Sequence, residues 1–199
     1  MTRAWILASA ALGLLVGLAP CSPDDFGLWP VLIFGVSLGQ GLLLRESVPA
    51  WRWTLATIGG MAVGVPLGYI AAIGAFGGMA VLVRATSDPD FVPILVLAVA
   101  VGSATIGLVL GVAQGKLAAG DGRVRPWALA SAGGVMAASP LFLAVTCSDV
   151  LTLAGLPFSR PLLTTLCGLG YGLVTAFALP SLFARGLPVE RGSRPWWAW

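Results

Sequence analysis

Trp53-Thr54-Leu55-Ala56-Thr57 has two counterparts in this chain, Trp5-Ile6-Leu7-Ala8-Ser9 and Trp127-Ala128-Leu129-Ala130-Ser131. In each copy a tryptophan is followed by one variable residue, then leucine, alanine and a hydroxyl residue. We call this pattern the Trp phrase. Each Trp phrase lies on a long apolar stretch, and a second apolar stretch follows before the next phrase begins. The sequence therefore predicts three repeated helical hairpins.

Composition indicates which solvent these hairpins meet. Of the 199 residues, 58% are apolar and only 10% are charged, and the mean hydropathy is +0.95. Soluble domains average about 25% charged residues, so lipid is the expected solvent. A helix needs ~20 apolar residues to cross the hydrocarbon core. Six apolar runs are candidates, at about 4–20, 31–45, 53–73, 92–115, 127–147 and 161–184. We predict an all-α integral membrane protein with six transmembrane helices.

The connectors between the runs are too short to hold a separate soluble domain. We therefore predict a single transmembrane domain over residues 1–199, with hairpin repeats at about 1–50, 51–122 and 123–185 and a tail at 186–199. The glycine-rich residues 74–78 fit neither a phosphate-binding nor a dinucleotide-binding spacing. We expect them to form a flexible end of the third run.

The basic residues predict the orientation, because Lys and Arg near helix ends stay on the cytoplasmic side. With six spans, one side has only Arg84 and Arg160. The other side has Arg3, Arg45, Arg52, Lys116, Arg123, Arg125, Arg185, Arg191 and Arg194. We therefore expect a multi-pass protein of the bacterial inner membrane with both termini in the cytoplasm. This distribution argues against a nucleic-acid partner.

The N-terminal run needs a separate decision, because Leu18-Ala19-Pro20-Cys21 resembles a lipoprotein cleavage site. Proline directly before the cysteine departs from that pattern, and the run has a Trp phrase like the two later runs. We therefore expect the first helix to be retained.

Cys21 and Cys147 follow the first run of their hairpins at matching places on the outer side, where disulfides persist. They are a candidate disulfide, with two free thiols as the alternative.

The C-terminal tail combines arginine with indole rings, which favour the headgroup region. We interpret it as an interfacial anchor, with a partner-binding tail as the alternative. Its residues are Arg194, Trp196, Trp197 and Trp199.

The second helix of each hairpin has its own pattern, a small residue, a polar residue three positions later, and another small residue. The polar residues are Gln40, Gln114 and Thr175. In lipid, helices associate through close contact at small residues and through interhelical hydrogen bonds. The simplest interpretation is that each polar side chain satisfies a group on a neighbouring helix. Two alternatives remain open: the three side chains surround a pseudo-threefold axis and line a polar cavity, or they contact lipid headgroups.

These patterns resemble an uncharacterised family of small bacterial multi-pass membrane proteins, whose hairpins open with Trp-x-Leu-Ala and close with Gly-x-x-x-Gly-x-x-Gln. The resemblance is carried by residues 53–57, 107–114 and 168–179 and by Gln40 with the leucines and arginine at 42–45. The chain departs from the family pattern at Gly115-Lys116, where the family usually has aromatic and apolar residues. It also departs at Thr175, which replaces glutamine. The resemblance implies the fold and no activity.

Missing residue types restrict the function. The chain has no histidine, and no Asp, Glu, Lys or Arg falls in the middle of a predicted span. Histidine is the usual general base and metal ligand, and ion-coupled transporters generally place charged groups inside their spans. We therefore expect no enzyme activity, no catalytic residues, no metal and no cofactor. The leading hypothesis is an accessory or scaffold subunit whose partners are lipids and other membrane subunits. The alternative is a channel or facilitator for a small uncharged solute.

Overall fold

The computed structural model describes residues 2–18, 28–45, 48–83, 91–119, 124–146 and 159–183. Within these ranges it contains six α-helices and no strand, so the prediction of an all-α chain with six helices is confirmed. The helices are α1 (Thr2–Leu18), α2 (Leu28–Leu43), α3 (Ala50–Val83), α4 (Phe91–Ala119), α5 (Val124–Thr146) and α6 (Ser159–Phe183).

Two of these helices are long and apolar enough to cross a membrane. Among the described residues they are Ala50–Val81 in α3 and Pro93–Leu117 in α4. Shorter apolar helices cover Thr2–Leu15, Phe34–Leu43 and Thr164–Pro180. Two membrane-length helices are compatible with a membrane protein by length and composition alone.

The glycine-rich end of the third run was predicted wrongly. Residues 74–78 lie inside α3, which continues without interruption to Val83. Glycine costs a helix interior about 1 kcal/mol relative to alanine, but in an apolar segment that is kept from water, a backbone that leaves the helix loses hydrogen bonds that nothing replaces. The hydrogen-bond requirement therefore outweighs the glycine cost.

Three other predictions fall outside the described residues. The first is the Cys21–Cys147 disulfide, and the second is the cleavage pattern around Cys21. The third is the interfacial tail with Arg194, Trp196, Trp197 and Trp199.

The helices pack in chain order and form a closed ring. Each helix contacts the next along the chain, and α6 returns to contact α1. Among the described residues the contact between α1 and α2 is the smallest in the ring, and α2 also packs less extensively on α3 than α4 packs on α5. The helix α2 is therefore the least tightly held member.

Glycine allows close approach where one hairpin meets the next. A Cβ atom at Gly107 of α4 would overlap the carbonyl oxygen of Ser131 in α5, and a Cβ atom at Gly168 of α6 would overlap that of Ser9 in α1. Ser131 and Ser9 are the hydroxyl residues that end two Trp phrases. The same contact therefore joins the second hairpin to the third and the third to the first.

A further contact relates the remaining junction, between α2 and α3, to the one between α4 and α5. A Cβ atom at Gly41 would lie 2.8 Å from the carbonyl oxygen of Ala50, and one at Gly115 would lie 3.0 Å from the Cα atom of Val124. Ala50 and Val124 each stand three residues before the tryptophan of their hairpin. All three junctions thus use small residues at related positions.

Inside the hairpins, the first copy differs from the other two. Seven residues after the phrase tryptophan stand Gly60 in α3 and Gly134 in α5. A Cβ atom there would lie 3.0 Å from the Cα atom of Leu110 and 2.9 Å from Cδ2 of Tyr171, respectively. The first hairpin has Leu12 at this position. A leucine side chain separates the helices that glycine lets touch, which accounts for the small contact between α1 and α2.

Candidate functional site

Three tryptophans, one from each Trp phrase, meet at the centre of the ring. Trp5, Trp53 and Trp127 come from α1, α3 and α5, and each is at most 1% exposed. Their ring centroids lie 6.0 Å (Trp5 to Trp53), 6.0 Å (Trp5 to Trp127) and 5.7 Å (Trp53 to Trp127) apart, in edge-to-face arrangements. Such aromatic pairs each contribute about 0.5–1.5 kcal/mol beyond the area that they bury. The rings fill the space between the three odd-numbered helices.

The cluster lies near one end of the ring. Each tryptophan follows the first residue of its helix by three positions, a rise of about 4.5 Å at 1.5 Å per residue. Leu44 and Leu179 belong to the same buried cluster. The described basic residues at this end are Arg3, Arg45, Arg52, Lys116 and Arg125.

Gln114 connects three helices through its amide. Its Oε1 atom accepts a hydrogen bond from Trp127 Nε1 at 3.1 Å, and its Nε2 atom donates to Thr57 Oγ1 at 3.0 Å. The Thr57 hydroxyl in turn donates to the backbone carbonyl of Trp53 at 2.9 Å. Since Gln114 is only 1% exposed, this chain of hydrogen bonds links α5, α4 and α3 away from solvent.

Thr175 has the corresponding role for the third hairpin. Its hydroxyl oxygen accepts a hydrogen bond from Trp5 Nε1 at 2.9 Å and donates to the carbonyl of Tyr171 at 2.7 Å. Thr175 is fully buried. In both cases the second helix of one hairpin holds the indole of the next hairpin around the ring.

Gln40 is buried, at 5% exposure, but its counterpart indole is not hydrogen-bonded. Trp53 Nε1 has no hydrogen-bond partner, and neither does Ser9 Oγ. We refer to the three tryptophans with Ser9, Gln40, Thr57, Gln114 and Thr175 as the tryptophan layer. The indole N–H groups are hydrogen-bonded at Trp5 and Trp127 and unbonded at Trp53. The buried hydroxyl of Ser131, which ends the third Trp phrase, is also without a hydrogen-bond partner.

Two of the three residues selected from the sequence thus meet the tryptophans. Gln114 and Thr175 accept hydrogen bonds from indoles, and the indole rings occupy the centre that the cavity alternative assigned to a polar space. In the sequence the tryptophans served only as markers of the repeat. The missed signal was that a buried indole N–H requires an acceptor, and that each hairpin supplies one polar residue at a fixed position.

Away from the tryptophan layer the ring buries both polar and apolar side chains, and large apolar side chains cover its outer surface. Buried polar side chains include Ser37, Thr54, Ser139 and Thr164. Exposed large apolar side chains include Phe177 (86%), Val81 (72%), Tyr69 (69%) and Leu7 (68%). Soluble proteins rarely expose large contiguous apolar surfaces. Several inward hydroxyls donate to carbonyls of their own helix, as Thr54 does to Ala50 at 2.9 Å.

The tryptophan layer contains only neutral indole, amide and hydroxyl groups. These groups exchange hydrogen bonds between helices, and none is a strong base or nucleophile without an activating neighbour. Within the described ranges no group of three or more His, Cys, Asp or Glu residues is placed to hold a metal ion. Comparison of the chain with protein-family models, with curated proteins and with solved structures gave no match.

Proposed function

We propose that this chain is a six-span protein of the bacterial inner membrane that acts as a non-catalytic accessory or scaffold subunit, packing against a larger membrane complex or lipids. Membership of the small multi-pass family that its Trp phrases resemble is part of this proposal. The proposed orientation puts the end with the tryptophan layer, and both termini, in the cytoplasm.

The distribution of polarity supports the membrane assignment for all six helices. Hydroxyl and amide side chains lie inside the ring, and Thr54, Gln114 and Thr175 find partners there on the same or neighbouring helices. Large apolar side chains cover its outer surface. In lipid this arrangement is the stable one, because polar groups facing hydrocarbon lack hydrogen-bond partners and apolar groups there cost nothing.

The tryptophan cluster is the observation that carries the scaffold assignment. Three indoles in mutual contact fill the centre of the ring near its basic end. Gln114 and Thr175, which a facilitator would need along a wet path, instead hold indole N–H groups. With its polar groups used for internal packing, the ring offers its outward apolar faces for interaction. Helix-to-helix contact with other subunits, or with lipid, is the function that such faces support.

Native-membrane purification tests this proposal. The protein is extracted at its endogenous level in a mild detergent, and everything that co-migrates is identified and quantified by mass spectrometry. A scaffold subunit retains partners in fixed stoichiometry. A lone particle contradicts the proposal and favours the facilitator, which solute flux into vesicles then measures directly.

Single replacements of outward residues locate the contact face. Leu7→Ala, Tyr69→Ala and Phe177→Ala each remove an exposed apolar group, so we expect the fold to be retained. At least one of them is expected to reduce recovery of the partner. Thr105→Val is the matched control, because its exposed hydroxyl donates only within its own helix, to Val101 at 2.9 Å.

A further inference from the structure

The incomplete corner of the tryptophan layer contains two unsatisfied atoms. Trp53 Nε1 and Ser9 Oγ are buried without a hydrogen-bond partner, in residues that are 1% and 4% exposed. Buried polar groups in proteins are nearly always paired, and each exception has a cause. Both atoms are buried from the surface, and a side chain that moves is one source of the missing partner.

The position of Gln114 identifies that side chain. Gln114 accepts from the tryptophan of the following hairpin, Trp127, and donates to the phrase hydroxyl of its own hairpin, Thr57. Gln40 occupies the same position in the first hairpin. The tryptophan of its following hairpin is Trp53, and the phrase hydroxyl of its own hairpin is Ser9. By this correspondence Gln40 is matched to Trp53 Nε1 and Ser9 Oγ. The Ser131 hydroxyl, which ends the Trp phrase of the third hairpin, is unsatisfied too, so the unpaired indole of Trp53 is the feature that sets the first corner apart.

Backbone packing already brings Gln40 to the correct junction. Its neighbour Gly41 lies against Ala50, three residues before Trp53. At the equivalent junction Gly115 lies against Val124, three residues before Trp127, and there the amide and the indole are bonded. The backbone contact that accompanies a bonded amide and indole in the second corner is therefore already present in the first.

Leu12 is one difference that sets the first corner apart from the others. The other two hairpins have glycine at this position, which lets their helices touch. In the first hairpin the Leu12 side chain lies against Gly39, with its Cδ2 atom 3.7 Å from the position of a Cβ at that glycine. It holds α2 away from α1, and α2 is the least tightly packed helix of the ring.

We propose that α2 is a latch with two positions. In the released position, Trp53 and Ser9 are unpaired. In the docked position, Gln40 Oε1 accepts from Trp53 Nε1 while Gln40 Nε2 donates to Ser9 Oγ. Any lipid or subunit that contacts α2 differently in the two positions shifts the population between them. The latch is a property of the chain itself and stands whether or not the scaffold proposal is correct.

Indole NMR on the purified full-length protein tests the latch. The protein is labelled with ¹⁵N at the tryptophan indoles in nanodiscs, and Trp53→Phe assigns the Trp53 N–H signal. Docking by Gln40 predicts that Gln40→Leu shifts this signal towards the position of an unbonded indole and leaves the Trp127 signal in place. Leu12→Gly is expected to shift it the opposite way. Thr105→Val, the control, leaves it unchanged.

A double-mutant cycle supplies an independent readout. Gln40→Leu and Trp53→Phe are measured singly and together for reversible unfolding, and Gln114→Leu with Trp127→Phe gives the reference. An interhelical hydrogen bond in a membrane changes the unfolding equilibrium constant by about threefold on average. For Gln40 with Trp53 we expect a smaller but measurable coupling in that constant. If Gln40→Leu does not fold, Gln40→Asn, with a shorter amide, replaces it.

Two results overturn the latch. One is a Trp53 signal that ignores both Gln40→Leu and Leu12→Gly, together with no coupling in the cycle. The other is a magnetisation-transfer signal from water to the Trp53 N–H that persists in Gln40→Leu, which assigns the corner to a bound water.

Discussion

Trp127 donates a hydrogen bond from its indole Nε1 to Oε1 of Gln114 at 3.1 Å, which joins the third hairpin to the second. The bond from Trp5 to Thr175, at 2.9 Å, joins the first hairpin to the third in the same way. A buried indole and a polar residue of the preceding hairpin thus form the repeating connection of the ring. Because these bonds lie away from water, removal of one partner leaves the other buried and unsatisfied, which costs free energy of folding.

Gln114 is expected to be the most costly amide to remove. Gln114→Leu leaves Trp127 Nε1 without an acceptor and removes the donor to Thr57. Leaving a buried group unsatisfied costs about 1–3 kcal/mol, so we expect a loss of that size in the free energy of unfolding. Reversible unfolding in detergent measures it, with Thr105→Val as the control. A loss within about 0.5 kcal/mol, the usual range for surface changes, contradicts this role.

Thr175 provides a second test that separates the hydroxyl from the side-chain shape. Thr175→Val keeps the volume but removes the acceptor for Trp5 Nε1, whereas Thr175→Ser keeps a hydroxyl. We expect Thr175→Val to lower the free energy of unfolding by about 1 kcal/mol or more, and Thr175→Ser to lower it less. Equal effects of the two replacements would show that packing, and not the hydrogen bond, makes this position important.

Two glycines in one helix test the close approach of α6 to α1. A Cβ atom at Gly168 would overlap the carbonyl oxygen of Ser9, while a Cβ atom at Gly170 would meet nothing within 4 Å. Gly168→Ala must separate the helices and is expected to lower the thermal unfolding midpoint clearly. Gly170→Ala is expected to be neutral or stabilising by up to about 1 kcal/mol, since alanine favours helix over glycine. The reverse order would contradict the α1–α6 packing.

Orientation is tested by fusions to the C-terminus. The basic residues lie at the end of the ring that contains the tryptophan layer, and they predict that the C-terminus is cytoplasmic. A green fluorescent protein fused there should therefore fluoresce, and an alkaline phosphatase fused there should be inactive. An alkaline phosphatase fusion placed after residue 87, between α3 and α4, is the control and should be active. Reversed activities of the two phosphatase fusions contradict the proposed orientation.

The helices could be predicted from sequence because long apolar runs separated by polar connectors carry a strong local signal. The beginning of α2 at Leu28 and the bounds of α5 and α6 lie within a few residues of the predicted runs. The end of α3 was missed because glycine was read as a local breaker, whereas the hydrogen-bond demand of an apolar segment keeps residues 74–78 helical.

The polar residues could be selected from the repeat, but their partners could not. Gln114 and Thr175 stood out because they recur at one position of an otherwise apolar helix. Gln114 accepts a hydrogen bond from Trp127 and Thr175 accepts one from Trp5. These pairings depend on how the hairpins follow one another around the ring, which a linear sequence does not specify. The different behaviour of Gln40 accompanies several differences of the first hairpin, among them Leu12 in place of Gly60 and Gly134 and Ser37 in place of Gly111 and Gly172. Their effect appears only when the helices are packed.

The most direct test of the scaffold proposal is the composition of the particle extracted from native membranes. We predict that the chain co-purifies with other membrane subunits in fixed stoichiometry, and that the recovered assembly has no solute flux that depends on Gln114. A particle containing this chain alone, with flux of an uncharged solute that Gln114→Leu alters, would contradict the account and identify the protein as a facilitator.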